Sequence, residues 1–123
     1  MERTMLKSKI HRATVTDANL EYEGSITVDP LLLKEADIVP YEKVDIYNCT
    51  NGERLHTYAI EGEPGKGEIV VNGAAAHRVK AGDCIIIASY VNVPGRRASE
   101  HRPRLVYVDR ANRVTSVKIE TPH

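Results

Sequence analysis

A chain of 123 residues with 17 basic and 17 acidic side chains carries no net charge at neutral pH, which argues against the electropositive field that nucleic acid or an anionic membrane would require. At 41% hydrophobic and 28% charged, and with no apolar run near the roughly 20 residues of a membrane span, it reads as a single soluble domain covering residues 1–123. Residues 1–7 lack the apolar stretch of a secretory leader, and Cys49 and Cys84 suggest neither a disulfide framework nor a zinc site, so a reducing, cytoplasmic setting is expected.

In chain order, residues 10–16 alternate in part and form the first expected strand. Tyr22-Glu23-Gly24 reads as a turn into a second strand over residues 25–28. Asp29 then offers an N-cap, Pro30 suits the first helical position, and residues 31–36 are good helix formers. Residues 43–48 alternate cleanly and lead into Asn51-Gly52, whose tolerance of positive φ predicts a tight hairpin and a return strand over 54–60. A strand over 68–71 precedes Asn72, a candidate cap for a short helix over 73–77. Residues 84–90 form the next strand, and its run Ile85-Ile86-Ile87 suggests burial on both faces. The arginine-rich segment 94–103 reads as a solvated loop, and 104–108 and 114–118 complete the strands. With no Trp or Phe, the core is expected to be aliphatic and the fold mainly β with a few short helices.

A diverged internal repeat is visible. Strand 26–28, cap Asp29, a helix and the segment 38–42 lead into strand 44–47. Strand 69–71, Asn72, a shorter helix and the segment 79–83 lead into strand 85–88 in the same order.

Tyr22-Glu23-Gly24-Ser25, Arg54-Leu55-His56-Thr57-Tyr58 and Asn72-Gly73-Ala74-Ala75-Ala76-His77, read together, resemble the motifs of the pyruvoyl-dependent aspartate 1-decarboxylase family. The resemblance runs from Arg3-Thr4-Met5 to Ile85-Ile86-Ile87-Ala88-Ser89 and thins after Pro94. It implies a six-stranded double-psi β-barrel built from two interlocked halves. It also implies self-cleavage between Gly24 and Ser25, giving a β chain 1–24 and an α chain 25–123 whose first residue is a pyruvoyl group. That group would form a Schiff base with L-aspartate and accept electrons as carbon dioxide leaves, with no pyridoxal phosphate and no metal. The product would be β-alanine, for pantothenate and coenzyme A synthesis.

The residue types suit those tasks. Gly24 lacks a Cβ, so its backbone can enter conformations that expose the carbonyl to attack, and Ser25 is a nucleophile tied to the neighbouring peptide. Arg54 presents paired donors that match a carboxylate, and Lys9 adds positive potential near the same group. Tyr58 matches the family's proton donor, and Thr57 is placed to hydrogen-bond substrate or polarise the scissile carbonyl. Asn72, Gly73, Ala74 and Ala75 let a substrate approach the backbone. His11 also matches. Taken singly, each has an ordinary reading: a turn serine, a surface arginine, a packed tyrosine, an Asx turn. The resemblance further implies a homotetramer with sites between neighbouring subunits, and no nucleic-acid or membrane partner. A competing reading is a non-catalytic small β-barrel that binds DNA or protein. A serine hydrolase ranks lower, because Ser25 lies in no G-x-S-x-G elbow.

Overall fold

Alternating, β-branched sequence becomes strand over about half of the chain in the computed structural model, which describes residues 1–120. The strands are β1 (Glu2–Thr14), β2 (Asp17–Asn19), β3 (Ser25–Val28), β4 (Lys43–Asn48), β5 (Arg54–Glu61), β6 (Ile69–Asn72), β7 (Cys84–Pro94), β8 (Arg104–Val108) and β9 (Val114–Ile119). One α-helix, α1 (Pro30–Ala36), and 3₁₀ turns at Gly73–His77 and Gly95–Glu100 complete the described elements. No described helix is long and apolar enough to cross a membrane.

Strands run longer than the pattern suggests where a partner supplies the ladder. β1 begins at Glu2, ahead of the expected strand, because Glu2 to Leu6 pair antiparallel with Pro94 to Tyr90. The same pairing carries β7 beyond residue 90. Backbone hydrogen bonds along a ladder do not need an amphipathic sequence. Segment 95–100, expected as loop, is a 3₁₀ turn without a buried residue.

The neighbour order is β2-β6-β3-β5-β4-β7-β1-β8-β9. β1 and β2 are successive stretches of one strand, and that strand closes the barrel. Between them, the Val15 N–H donates to the Asp83 carbonyl at 2.9 Å and the Thr16 N–H to the Ile69 carbonyl at 2.8 Å. Thr16 Oγ1 in turn accepts from the Ile69 N–H at 3.0 Å. The combined strand therefore flanks β7 at one end and β6 at the other. Counting β1–β2 as one, six strands form a double-psi barrel, and β8 and β9 lie outside it, attached where β8 runs parallel to Ser8–His11. Closure leaves the barrel strands without a free edge.

The repeat is explicit in the hydrogen bonds. Tyr41 and Gly82, each two residues ahead of a barrel strand, both have positive φ, at 72° and 92°. The Tyr41 N–H donates to the Ala59 carbonyl and the Gly82 N–H to the Val15 carbonyl, both at 2.7 Å. The Ala59 N–H returns to the Glu42 carbonyl just as the Val15 N–H returns to Asp83. The carboxylates of Glu42 and Asp83 accept from the N–H three residues upstream, Val39 at 3.2 Å and Lys80 at 2.9 Å. Glycine fits the second site without steric cost, whereas Tyr41 must be held in the left-handed region by these bonds.

Inside the barrel lie Ile10, Ile26, Ile46, Ile69, Ile85 and Ile87, all fully buried. Ile86 is only half-buried, so β7 is not covered on both faces there. Its outward side chain joins those of Tyr47 and Arg54, its neighbours in register on β4 and β5. Asp29 caps α1 as expected, accepting from the Leu31 N–H at 2.9 Å. The same carboxylate also accepts from the N–H groups of Gly65 and Gly67, at 3.2 and 2.8 Å, and so ties the β5–β6 connection to the helix.

Candidate active site

Ser25 opens β3 opposite Asn72, the last residue of β6. Ile26 and Val28 face the core, so alternation turns Ser25 and Thr27 to the other side. Ser25 is nonetheless only 1% exposed. Its Oγ donates to the Glu23 carbonyl at 3.1 Å and accepts from Asn72 Nδ2 at 3.0 Å. The second hydrogen on Asn72 Nδ2 goes to Thr27 Oγ1, also at 3.0 Å. Asn72 therefore does not cap the following 3₁₀ turn with its side chain. The expected cap is instead a buried bridge that holds the serine hydroxyl. Thr27 was legible only as the residue sharing Ser25's face, two positions along the strand.

The glycine requirement falls on Gly73, not Gly24. Gly24 is exposed, lies outside the positive-φ region and has open space where a Cβ would project. Gly73 has φ +72°, and a Cβ there would stand 2.7 Å from Gly24 Cα and 2.8 Å from Gly24 N. The bare α-carbon of Gly73 lets the Tyr22–Gly24 segment lie against β6 and presses the Gly24–Ser25 peptide onto Asn72. Gly73→Ala is expected to destabilise the chain by roughly 1–3 kcal/mol through this collision. Chemical denaturation beside Gly82→Ala measures it, since Gly82 shares the positive φ but has open space around its Cβ direction. Equal losses in the two variants would mean that the close approach does not matter. Downstream, Ala74 is exposed, Ala75 is partly buried against the core and Ala76 is buried, so the small residues form the rim beside Ser25.

β3 and β5 run parallel, with Ile26 beside Ala59. One step upstream, the register sets Ser25 beside Tyr58, on the face away from the core, and one more sets Gly24 beside Thr57. Along β5, Arg54, His56 and Tyr58 share that outer face, while Leu55, Thr57 and Ala59 turn inward. Tyr58 is half-buried and its ring lies 6.0 Å from that of Tyr41, tilted by 30°. Tyr41 was not among the expected site residues. The repeat's turn delivers it there through an unusual φ that no local motif announces.

Arg54 sits further from Ser25. It is four residues from Tyr58 on the same strand, about 13 Å at the usual rise. Its guanidinium lies over the Tyr47 ring, 4.5 Å from the centroid. The Tyr47 and Tyr90 hydroxyls are 2.7 Å apart, and the Tyr47 hydroxyl also donates to Asp45 Oδ2 at 3.4 Å. The hydrogen bond to Tyr47, then burial, pushes the Tyr90 phenol up to about 12. A groove of about 380 Å³ runs past Thr4, Lys43, Asp45, Tyr47 and Tyr90. Lys9 is on β1, three strands from Arg54 across β4 and β7, some 14 Å at ordinary strand spacing. Neither Lys9 nor Arg54 is a register neighbour of Ser25.

His11, next along the outward side of β1, meets the Tyr107 ring edge-on at 5.5 Å. Burial, then the positive charges of Lys9 and Arg12, holds its imidazole below the ordinary histidine range. It lines a groove of about 710 Å³ with Arg12, Cys84, Tyr107 and Arg110, and Ser25 is not part of that groove. Among the described residues, no cluster of His, Cys, Asp or Glu is arranged to hold a metal ion.

Comparisons with known proteins agree with these motifs. A family described as aspartate decarboxylase matches residues 1–115, so the likeness extends well past Pro94, where it was expected to thin. The chain is 58% identical to aspartate 1-decarboxylase of Syntrophotalea carbinolica over 99% of its own length and 93% of the relative's. It is also 58% identical to that of Syntrophus aciditrophicus, over 93% of its length and 98% of the relative's. Against that of Legionella pneumophila strain Lens it is 54% identical, over 96% and 89% of the two chains.

Proposed function

The chain belongs to the aspartate decarboxylase family and removes carbon dioxide from aspartate; from that premise we propose that its electron sink is a pyruvoyl group made from its own Ser25. The observation that carries this reading is that Ser25 is buried, at 1% exposure, with its hydroxyl hydrogen-bonded to the Glu23 carbonyl and to Asn72. A nucleophile so enclosed cannot meet an external substrate. It can meet the adjacent peptide, at the high effective concentration of a covalently attached group. Attack of Oγ on the Gly24 carbonyl carbon, with the serine nitrogen leaving, converts the peptide to an ester. Loss of the Gly24 carboxylate by elimination then leaves residues 1–24 as one chain. Water hydrolyses the remaining enamine, releasing ammonia and a ketone at position 25. The site fits the break that makes such a group: Asn72 holds Oγ, the atom that attacks and then departs on the Gly24 carboxylate, and the bare α-carbon of Gly73 lets the Gly24 backbone lie against β6.

The pyruvoyl group supplies the carbonyl through which the substrate amine is attached and into which the electrons of the departing carboxylate flow. The protein's own residues do the rest. Tyr58, beside position 25 in register, delivers a proton to the α carbon. Arg54, with Lys9 adding positive potential, binds the carboxylate that is retained. Thr57 and Asn72 orient the reacting end, and Gly73, Ala74 and Ala75 let aspartate lie close to the backbone.

The family resemblance implies a homotetramer with sites between neighbouring subunits, and the wide backbone spacing of Lys9 and Arg54 from position 25 supports the reading that the clamp and the ketone come from neighbouring chains. The product β-alanine serves pantothenate and coenzyme A synthesis in the cytoplasm, a setting in keeping with two free thiols.

Intact-mass analysis under denaturing conditions tests the proposal. Two fragments are expected, residues 1–24 and residues 25–123, the larger lacking a free amine at its first residue. Borohydride added with aspartate is expected to add substrate mass to the larger fragment alone. Active protein made of one unbroken chain would overturn the reading.

A further inference from the structure

We infer that Tyr90 is a positioning residue for the substrate-carboxylate clamp, acting through Tyr47 on Arg54. The inference rests on the reading of Arg54 as the group that binds the retained carboxylate. An arginine on an exposed strand face has several soft torsions, and a useful clamp must hold its planar donors in one orientation. Here the guanidinium lies 4.5 Å from the centroid of the Tyr47 ring, a distance at which the face of the ring attracts and orients the cation. The ring can do this only if it is itself held. Its inner end is anchored on β4, and its outer end carries the hydroxyl that meets Tyr90 at 2.7 Å and Asp45 at 3.4 Å. One arrangement satisfies all three groups: Tyr90 donates to the Tyr47 oxygen, and Tyr47 donates to the Asp45 carboxylate.

The elements make this cluster. Tyr47 faces outward beside Arg54 on β5 and Ile86 on β7, and Tyr90 lies four residues further along β7 on the same face. The ring of Tyr47 is therefore tilted along the sheet between its cation at one side and Tyr90 at its tip. Asp45 has a second consequence. A carboxylate within reach of Arg54 would compete with the substrate for it, but the Tyr47 hydroxyl engages one of its oxygens and keeps it beyond ion-pair distance of Arg54 among the described contacts.

Tyr90→Phe keeps the ring and removes the hydroxyl. In the mature, cleaved enzyme it is expected to raise KM for L-aspartate about threefold to tenfold, the range for losing one net hydrogen bond. The cleaved fraction, the melting temperature and kcat are expected to stay at wild-type values. In an Arg54→Lys background, which lacks the planar fork, Tyr90→Phe is expected to add nothing to KM. An unchanged KM in Tyr90→Phe would overturn the inference, as would an equal rise in the Arg54→Lys background. If Arg54→Lys itself left KM unaltered, the clamp reading beneath it would fall as well, whereas a raised KM in Arg54→Lys beside a normal Tyr90→Phe would refute Tyr90 alone.

Discussion

Ser25→Ala is expected to yield a single uncut chain of full length whose aspartate decarboxylation is at least about a thousandfold below wild type, the scale of loss when a covalent catalytic group is removed. Alanine has no oxygen to attack the Gly24 carbonyl, so neither the break nor the ketone forms. The variant is also expected to lose some stability. Asn72 Nδ2, buried between Ser25 and Thr27, would keep only one of its two acceptors, and an unsatisfied buried donor costs roughly 1–3 kcal/mol. Circular dichroism and sedimentation separate that cost from the chemical defect, because the aliphatic core is unaltered. Ser25→Cys retains a nucleophile of similar size and is expected to recover some cleavage. A Ser25→Ala protein found cut between residues 24 and 25, or decarboxylating at the normal rate, would end the pyruvoyl proposal.

Tyr58→Phe is expected to give the opposite division: normal cleavage and a kcat lower by about a hundredfold to ten-thousandfold, the usual reach of a positioned proton donor. Continued one step upstream of Ile26 and Ala59, the parallel β3–β5 register sets Tyr58 level with position 25, yet Tyr58 is absent from the hydrogen bonds that hold the serine hydroxyl. Processing therefore does not need it. The ring's packing on Tyr41 survives the change, so folding and assembly are expected to persist. Single-turnover measurement in deuterated water isolates the proton-transfer step. A variant that turns over at the wild-type rate would show that another group, or water, protonates the product.

The family was legible because its motifs are contiguous. Gly24-Ser25, Thr57-Tyr58 and Asn72-Gly73-Ala74-Ala75 are short runs that can be read without the fold, and the family match over residues 1–115 agrees with the resemblance they carry. The function of Asn72 was not legible. An asparagine before a glycine in a short helical turn has a cap as its ordinary role, and only the antiparallel pairing of β3 with β6 offers it two hydroxyls instead. The close packing at Gly73 was not legible for a similar reason. Gly24 sits at the break, but it is at Gly73 that an added Cβ would stand 2.7 Å from Gly24 Cα. Tyr41, Tyr47 and Tyr90 belong to no shared motif. They enter through long-range pairing, and the separation of Arg54 and Lys9 from Ser25 depends on strand order, which alternation does not encode.

Alternation, capping and turn chemistry are local properties, so the sequence by itself determined the cores of eight strands, the Asp29-capped helix, the Asn51-Gly52 hairpin and the two-fold repeat, while β2 and the outer ends of β1 and β7 came from pairing. Which strands become neighbours depends on contacts between residues far apart in the chain. Tertiary structure alone therefore decided that β1 and β2 close the barrel as one strand. It also decided that Asn72 grips Ser25 and that Arg54 stands in register with Tyr47 and Ile86, four residues along β5 from Tyr58. Cross-strand pairing brings together groups tens of residues apart, and no window along the sequence contains both members of such a pair.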